Sequence, residues 1–147
     1  MNKKISVFLM ILILMNVLGL MLASADSPGK YTMFAVRRDG RYVDSSSLGL
    51  SSSMTLNDDG KGSMEFDGDS VAITSWTIAD SIIAIHTADG GSANGEMKEG
   101  IIELDVNGDG SYLICYALPE TDLSEYTIIS LDEFQALQDT SAQTSKP

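Results

Sequence analysis

The sequence is poor in the side chains that most often carry out chemistry, with one cysteine, one histidine and one tryptophan among 147 residues. A single cysteine, Cys115, cannot form a disulfide within the chain. It lies in the apolar run Tyr112-Leu113-Ile114-Cys115-Tyr116-Ala117, where cysteine usually behaves as a small buried hydrophobe. A catalytic thiol needs a neighbouring base, and His86 is the only histidine. We therefore predict that the protein is not an enzyme and that it holds no metal and no cofactor.

Basic residues are also scarce, because nine Lys and Arg stand against 21 Asp and Glu, for a formal net charge of −12. Nucleic-acid backbones are bound through Lys and Arg, so this charge argues against nucleic acid as a partner. The one basic cluster, Arg37, Arg38 and Arg41, is interrupted by Asp39 and is typical of a solvated hairpin edge. A large negative charge instead favours solubility.

Long apolar runs are absent except at the N-terminus. There the basic start Asn2-Lys3-Lys4 is followed by an apolar stretch over residues 5–22 and by Ala23-Ser24-Ala25. This order is typical of a secretory signal peptide. We predict a signal peptide over residues 1–25 and a secreted or extracytoplasmic protein that starts at Asp26. The alternative is an uncleaved N-terminal anchor, the one case in which we expect a membrane partner.

Helical spacing is missing from most of the rest of the chain, where short apolar-polar alternations are separated by turn residues. Residues 30–37, 53–56, 62–66, 71–76, 82–87 and 100–106 have strand patterns, and Asp-Gly pairs punctuate them. The intervals are too short for crossover helices, so the sheet must be mainly antiparallel. We predict an all-β domain over residues 29–118, either a curled antiparallel meander or a lipocalin-like barrel with a short C-terminal helix.

Two segments break the strand pattern within this domain. The Ser-rich stretch at 44–53 contains Leu48 and Leu50, which predicts a loop or short helical turn that closes one end of the sheet. The glycine-rich stretch at 90–95 lacks a Gly-Lys-Ser/Thr ending and so does not predict a phosphate site. We interpret it as a long hairpin loop.

The C-terminal part predicts an extension over residues 119–139 and a disordered tail over residues 140–147. Ser130 and Glu133 match a capping box, in which both side chains satisfy free amides at the start of a helix. Leu131, Phe134 and Leu137 follow at intervals of three, which indicates a short helix with one apolar stripe. The last residues are small and polar, a composition typical of disorder.

Four stretches occur in a recognisable order along the chain: Gly29-Lys30-Tyr31, Ser53-Met-Thr-Leu-Asn-Asp-Asp-Gly-Lys-Gly62, Ile73-Thr-Ser-Trp76 and Gly95-Glu-Met-Lys-Glu-Gly-Ile-Ile-Glu-Leu104. Together they resemble the small lipocalin-like β-meander domains found in exported proteins of gut Firmicutes. The resemblance implies a curled antiparallel sheet with a short helix near residues 45–53. It implies no activity, and a ligand taken from true lipocalins is analogy, because a fold does not determine a function.

The stretch Asp105-Val-Asn107-Gly-Asp109-Gly110 resembles the first half of an EF-hand calcium loop. Position 12 of such a loop needs a bidentate Glu, but here it is Tyr116, and both flanks have strand patterns instead of helical ones. The Asn-Gly and Asp-Gly pairs tolerate the positive φ of a hairpin turn. We therefore predict a turn, with weak surface capture of calcium left open.

Leu118-Pro119-Glu120-Thr121-Asp122 resembles a cell-wall sorting motif, but its fifth residue is Asp and neither an apolar span nor a basic tail follows. We interpret it as a loop that leaves the last strand.

The candidate ligand-binding residues are aromatic. Strand alternation predicts Trp76 on the face of Ala72 and Thr74, opposite Val71 and Ile73. There Trp76 either plugs one end of the sheet or lines an apolar cavity, since ligand sites favour aromatic walls. In the second case Tyr31, Tyr112 and Tyr116 are its candidate neighbours.

We expect a monomeric, non-enzymatic binding domain whose partner is an unknown small molecule, apolar in character, or an extracellular protein. The alternative is a structural or adhesive module that acts through contacts with other surface proteins. A hydrolase with paired carboxylates is the weakest reading, because with 21 acidic residues some pair always has a suitable spacing.

Overall fold

The chain folds into a series of antiparallel hairpins followed by one helix. The computed structural model describes residues 28–144, with side chains described as far as residue 141. The strands are β1 (Gly29–Arg38), β2 (Arg41–Asp44), β3 (Ser52–Leu56), β4 (Gly62–Phe66), β5 (Asp69–Ala79), β6 (Ile82–Thr87), β7 (Ser92–Lys98), β8 (Ile101–Asp105), β9 (Tyr112–Ala117) and β10 (Ile128–Ile129), and the helix is α1 (Leu131–Thr144). The predicted signal peptide at 1–25 and the last three residues of the predicted tail lie outside the described residues.

Eight of these strands close into an antiparallel barrel. They are hydrogen-bonded in the order β1-β3-β4-β5-β6-β7-β8-β9, and β9 pairs back onto β1. β2 pairs with the second half of β1, and β10 adds to β2 in parallel. The predicted all-β fold, with an antiparallel barrel and a C-terminal helix, is confirmed. Closure leaves the barrel strands without the free edges that an open sheet exposes.

Two-residue turns join several of the hairpins. Asp39-Gly40 connects β1 to β2 with φ values of 51° and 73°, and Asp67-Gly68 connects β4 to β5 in the same way. Two consecutive residues with positive φ fit the right-handed twist of the strands they join. The Asp-Gly pairs that indicated hairpins in the sequence therefore form them.

Large apolar side chains fill the barrel. Tyr31, Met54 and Tyr116 are fully buried in one interior cluster. The cluster comprises Tyr31, Met33, Val36, Met54, Leu56, Ile73, Ile83, Ile85, Ile102, Leu104, Ile114 and Tyr116. A barrel of about eight strands is just wide enough to be filled by its own side chains. The interior is therefore the core of the domain.

The predicted face of Trp76 is wrong. Trp76 packs against the interior cluster together with Ile78, on the same side as Ile73. The pairing of β5 with β6 shifts between Ile73 and Ser75, which marks a β-bulge. One extra residue reverses the side to which all later side chains of the strand point.

The predicted long loop at 90–95 is also wrong, because Ser92 begins β7 and the loop spans only residues 88–91. Gly95, which suggested a loop, pairs with Leu104 of β8. A Cβ on Gly95 would lie 2.4 Å from the carbonyl oxygen of Glu103, so the barrel wall is too tight there for any side chain. Glycine in a strand often marks such a close approach of backbones.

The Ser-rich segment, residues 45–51, covers one end of the barrel, which we call the closed end. Leu48 and Leu50 pack against the interior cluster. Ser51 and Asp67 exchange two hydrogen bonds, which fasten the segment to the β4–β5 turn. The segment forms hydrogen-bonded turns, in place of the short helix that the family resemblance implied.

Helix α1 begins as predicted at Ser130, whose hydroxyl accepts a hydrogen bond from the amide of Glu133 at 3.2 Å. The buried side chain of Phe134 anchors the helix. The helix continues past the expected end at Asp139 to Thr144. Thr140 and Ser141 donate their hydroxyl hydrogens to carbonyl oxygens one turn earlier, so these polar residues are satisfied within the helix. Residues 140–144 of the predicted tail are therefore part of the helix.

Candidate binding site

A cleft of about 600 Å³ lies at the end of the barrel opposite the Ser-rich segment, which we call the open end. The β5–β6 turn, the β7–β8 turn and the chain on either side of the β1–β9 seam form it. Its lining consists of Pro28, Ile78, Ser81, Met97, Glu99, Gly100, Leu118, Pro119, Glu120 and Thr121. Small-molecule sites commonly have volumes of about 300–1,000 Å³. The open end therefore has the size of such a site.

Backbone hydrogen bonds hold the walls of this cleft together. The amide of Met97 donates to the carbonyl oxygen of Ser81 at 2.8 Å, which joins β7 to the β5–β6 turn. The amide of Leu118 donates to the carbonyl oxygen of Gly100 at 2.9 Å, which joins the chain after β9 to the β7–β8 turn. The amide of Thr121 donates to the carbonyl oxygen of Leu118 and closes a further turn. The cleft is thus bounded by fixed turns.

The cleft has an apolar floor and a polar rim. Ile78, Met97 and Leu118 are partly buried, and they pack against the interior cluster from the cleft side. Glu99 and Glu120 are exposed on the rim. This arrangement suits a molecule that buries an apolar part and keeps a polar part near water.

None of the floor residues was selected from the sequence. Met97 lies on β7, which was not predicted as a strand because of the glycines at 90–95. Ile78 follows the β-bulge that interrupts the apolar-polar alternation of β5. Leu118 was noticed only as the first residue of an incomplete sorting motif. The available signal was the alternation of Gly95 and Met97 with exposed residues, which is the pattern of a strand with one buried face.

The four aromatic residues selected from the sequence belong to the core or border it. Tyr31 and Tyr116 are fully buried in the interior cluster, and Trp76 and Tyr112 are partly buried against it. None of the four lines the open-end cleft. The indole N–H of Trp76 donates to the carbonyl oxygens of Asn57 and Lys61, at 3.1 and 3.0 Å. Trp76 is therefore held by the β3–β4 loop, in the arrangement expected for a plug.

Tyr116 brings a polar group into the interior. Its hydroxyl lies 2.9 Å from Oγ of Ser52, and Ser52 in turn donates to the carbonyl oxygen of Glu65 at 2.8 Å. The tyrosine hydroxyl is thus the donor to Ser52. Burial raises the pKa of Tyr116, because the interior solvates a charged phenolate poorly. The interior therefore favours the neutral, hydrogen-bonded phenol.

A polar cluster on the outer wall fastens β2 and the C-terminal extension to the barrel. Glu103 accepts hydrogen bonds from the hydroxyl of Tyr42 at 2.6 Å and from Nη1 of Arg37 at 3.2 Å. The ring of Tyr126 packs edge-on against Tyr42, with centroids 5.0 Å apart. Burial and the bond to Glu103 raise the pKa of Tyr42. These contacts indicate a structural role for the cluster, which attaches β2 and the extension to the barrel wall.

The thiol of Cys115 is fully buried in the barrel wall. Burial, followed by the nearby carboxylate of Glu103, raises its pKa to about 12. His86 is exposed on β6, which is not a neighbour of β9. A buried thiol with a raised pKa is poorly suited to nucleophilic catalysis.

The Asp105 loop has the hydrogen bonds of a turn. The two carboxylate oxygens of Asp105 accept the amides of Gly108 and Gly110, both at 2.9 Å. Asp109 accepts bonds from the hydroxyl and amide of Ser111, which lower the pKa of that carboxyl. The carboxylates are therefore oriented toward backbone donors, as the turn interpretation requires.

Within residues 28–144, no group of three or more His, Cys, Asp or Glu side chains is arranged to hold a metal ion. No helix in the same part of the chain is long and apolar enough to cross a membrane.

Comparisons with known proteins identify no relative. The chain matches no protein-family model, no curated protein and no solved structure. A function for this chain must therefore be inferred from the geometry of the cleft itself.

Proposed function

We propose that this chain is an exported, non-enzymatic binding domain that takes a small apolar or amphiphilic molecule at the open end of its barrel. The observation that supports this proposal is the cleft of about 600 Å³, whose floor consists of Ile78, Met97 and Leu118. The relation to lipocalin-like domains is part of the proposal, and a closed antiparallel barrel is compatible with it.

The proposal places the ligand at the end of the barrel because the interior is occupied by the protein's own side chains. Tyr31 and Tyr116 have no exposed surface, and Met54 between β1 and β4 has none either. An enclosed ligand would have to displace these side chains. A ligand at the open end displaces only water.

The sole tryptophan gives a direct test. Trp76 and Ile78 point to the same side of β5, so a molecule that contacts Ile78 should alter the emission of Trp76. We expect a saturable change when octyl glucoside, a neutral amphiphile, is titrated below its micellar concentration. Calorimetry on the same samples should give the same dissociation constant.

Substitutions in the cleft lining test whether the ligand binds in the cleft. Thr121→Phe should fill the cleft from its rim, and Met97→Asp should place a charge on its floor, so both should weaken binding at least about tenfold. Leu137→Asp, an exposed position on α1, is the matched control and should leave binding unchanged. Failure of the folded wild-type protein to bind, or equal binding by Thr121→Phe, would refute the proposal.

A structural or adhesive module is the second candidate, and one observation favours it. A cleft of about 390 Å³ lies between the β1–β2 turn and α1, with Arg41 and Ile129 in its lining and the exposed Leu137 at its edge. A protein partner bound there should be lost in Leu137→Asp and retained in Thr121→Phe. The same two variants therefore separate the two candidates.

A further inference from the structure

We infer that the open-end cleft selects amphiphiles with a cationic head over those with an anionic head. This inference rests on the proposed function, because it names the class of ligand that the same cleft takes. It goes beyond the usual expectation for an apolar barrel ligand, which is a fatty acid with a carboxylate.

The first observation is the sign of the charge on the rim. Among the described residues, the only ionisable side chains in the lining are Glu99 and Glu120, which lie on two neighbouring turns. Leu118, whose amide donates to the carbonyl oxygen of Gly100, links these two turns. A head group at this part of the rim therefore meets two carboxylates and, among the described lining residues, no cation.

The second observation is where the neighbouring cations point. Lys98 precedes Glu99 directly, yet it lines a separate small cleft on the outer wall with Glu96 and Tyr126. Lys30 lies two residues after Pro28, yet it lines a third cleft with Ser53 and Glu65. The lysines closest in sequence to the cleft lining thus line other clefts, and no Lys or Arg of the described part of the chain belongs to that lining.

The third observation is the mixed chemistry of the remaining lining. Ser81 and Thr121 contribute hydroxyls at the rim, while Ile78, Met97 and Leu118 supply the apolar floor. A primary or quaternary amine with a short apolar tail matches both parts. A carboxylate at the same position would approach two like charges without a partner, and the net charge of −12 adds to that repulsion.

The test compares three probes with the same eight-carbon tail: octyltrimethylammonium, octyl glucoside and octanoate. We expect the cation to bind more tightly than the anion by roughly tenfold at low salt, since attraction and repulsion by two exposed carboxylates add. The ratio should shrink as salt is raised, because exposed charges are screened. Octyl glucoside should bind with intermediate affinity.

Variants that neutralise the rim carboxylates test whether the rim causes the charge selectivity. Glu99→Gln and Glu120→Gln should each lower the cation-to-anion ratio roughly two- to fivefold, and the double variant should bring it close to one. Glu65→Gln changes the net charge equally at an exposed position outside the cleft, and it should leave the ratio unchanged. Melting curves for every variant confirm that the compared proteins are folded.

The outcomes separate the two ideas. If octyl glucoside binds but octanoate binds as well as the ammonium probe, the charge selectivity is refuted and the proposed function stands. An equal effect of Glu65→Gln refutes the assignment to the rim. If none of the three probes binds to the folded protein, the proposed function fails and the selectivity fails with it.

Discussion

The two ends of the barrel are covered by segments of different length, and this difference accounts for the position of the cleft. At the closed end, residues 45–51 are long enough to bring Leu48 and Leu50 onto the interior cluster. At the open end, the Asp80-Ser81 and Glu99-Gly100 turns have two residues each. Such turns reverse the chain but carry no side chain across the barrel. The lengths of the connections thus make one barrel end part of the core and leave a cleft at the other.

Partial cover at the open end comes from Trp76. Its indole is held by the carbonyl oxygens of Asn57 and Lys61 in the β3–β4 loop. The loop lies over one side of the barrel end and leaves Ile78 and Met97 bordering the cleft. The open end is therefore half plugged, and its free half is the candidate site.

The largest effect is expected in the filled interior between the two ends. Ile102→Ala should lower the free energy of unfolding by about 2–5 kcal/mol, because Ile102 is fully buried and its removal leaves a cavity. Urea denaturation followed by Trp76 emission measures the loss. Ile82→Ala, at a position that is 52% exposed, is the control and should cost under about 1 kcal/mol. Equal losses of unfolding free energy in the two variants would mean that the interior is packed no more tightly than the open end.

A smaller difference in the free energy of unfolding should distinguish the closed end from the open end. Leu50→Ala at the closed end should cost about 1–2 kcal/mol, since a partly buried leucine loses its contacts with the core. Met97→Ala at the open end should cost less, because Met97 already borders the cleft. The same denaturation curves give both values. A larger cost for Met97→Ala would reverse the comparison and make the open end the more tightly packed one.

Alkaline pH probes whether water reaches the buried hydroxyl of Tyr116. The folded pKa of Tyr116 lies above the usual 10.0, so the unfolded chain loses its phenolic proton first as pH rises. The stability from the buried neutral phenol is complete below pH 10 and is lost as pH rises toward the folded pKa. The slope is at most about 1.4 kcal/mol per pH unit for one group.

Tyr116→Phe isolates this contribution from that of the other tyrosines. The variant should be less stable near neutral pH by about 1 kcal/mol, because the hydrogen bond to Ser52 is lost. Its stability should fall less steeply than that of the wild-type protein above pH 10. Equal slopes in urea denaturation at pH 9 to 11 would show that Tyr116 ionises in the folded state and that its surroundings are wet.

Much of the fold could be predicted because local signals agree with it. Asp39-Gly40 and Asp67-Gly68 are hairpin turns in the sequence and in the structure, and Ser130 caps the helix that its position indicates. Leu48 and Leu50 pack where two apolar residues in a polar stretch suggest. In each case the signal lies within a few residues of the structure it predicts.

The parts that could not be predicted depend on contacts between distant segments. The bulge after Ile73 changes the face of Trp76, and its only sign is the pairing of β5 with β6. Gly95 is a strand residue because Glu103 lies directly against it. The cleft itself combines Ile78, Met97 and Leu118 from three strands or their ends, and only closure of the barrel brings them together.

The smallest effect concerns the backbone of the rim. Glu120 has a φ of 69°, and it follows Pro119 in a turn closed by the bond from Thr121 to Leu118. With proline at its second position, this is the sequence and φ of a type II turn, whose third position favours glycine. A side chain in the left-handed region costs about 1–2 kcal/mol. Glu120 therefore brings its carboxylate to the rim with a strained backbone.

Replacing this residue separates stability from binding at the open end. Glu120→Gly should raise the free energy of unfolding by about 0.5–1 kcal/mol, because the relief of strain exceeds the extra flexibility of glycine in the unfolded chain. Glu125→Gly, in the same extension but without a positive φ, should lower it. Denaturation in urea measures both variants. If Glu120→Gly is also less stable than the wild-type protein, the side chain of Glu120 stabilises the turn. Its position at the rim is then explained by folding and not by ligand binding.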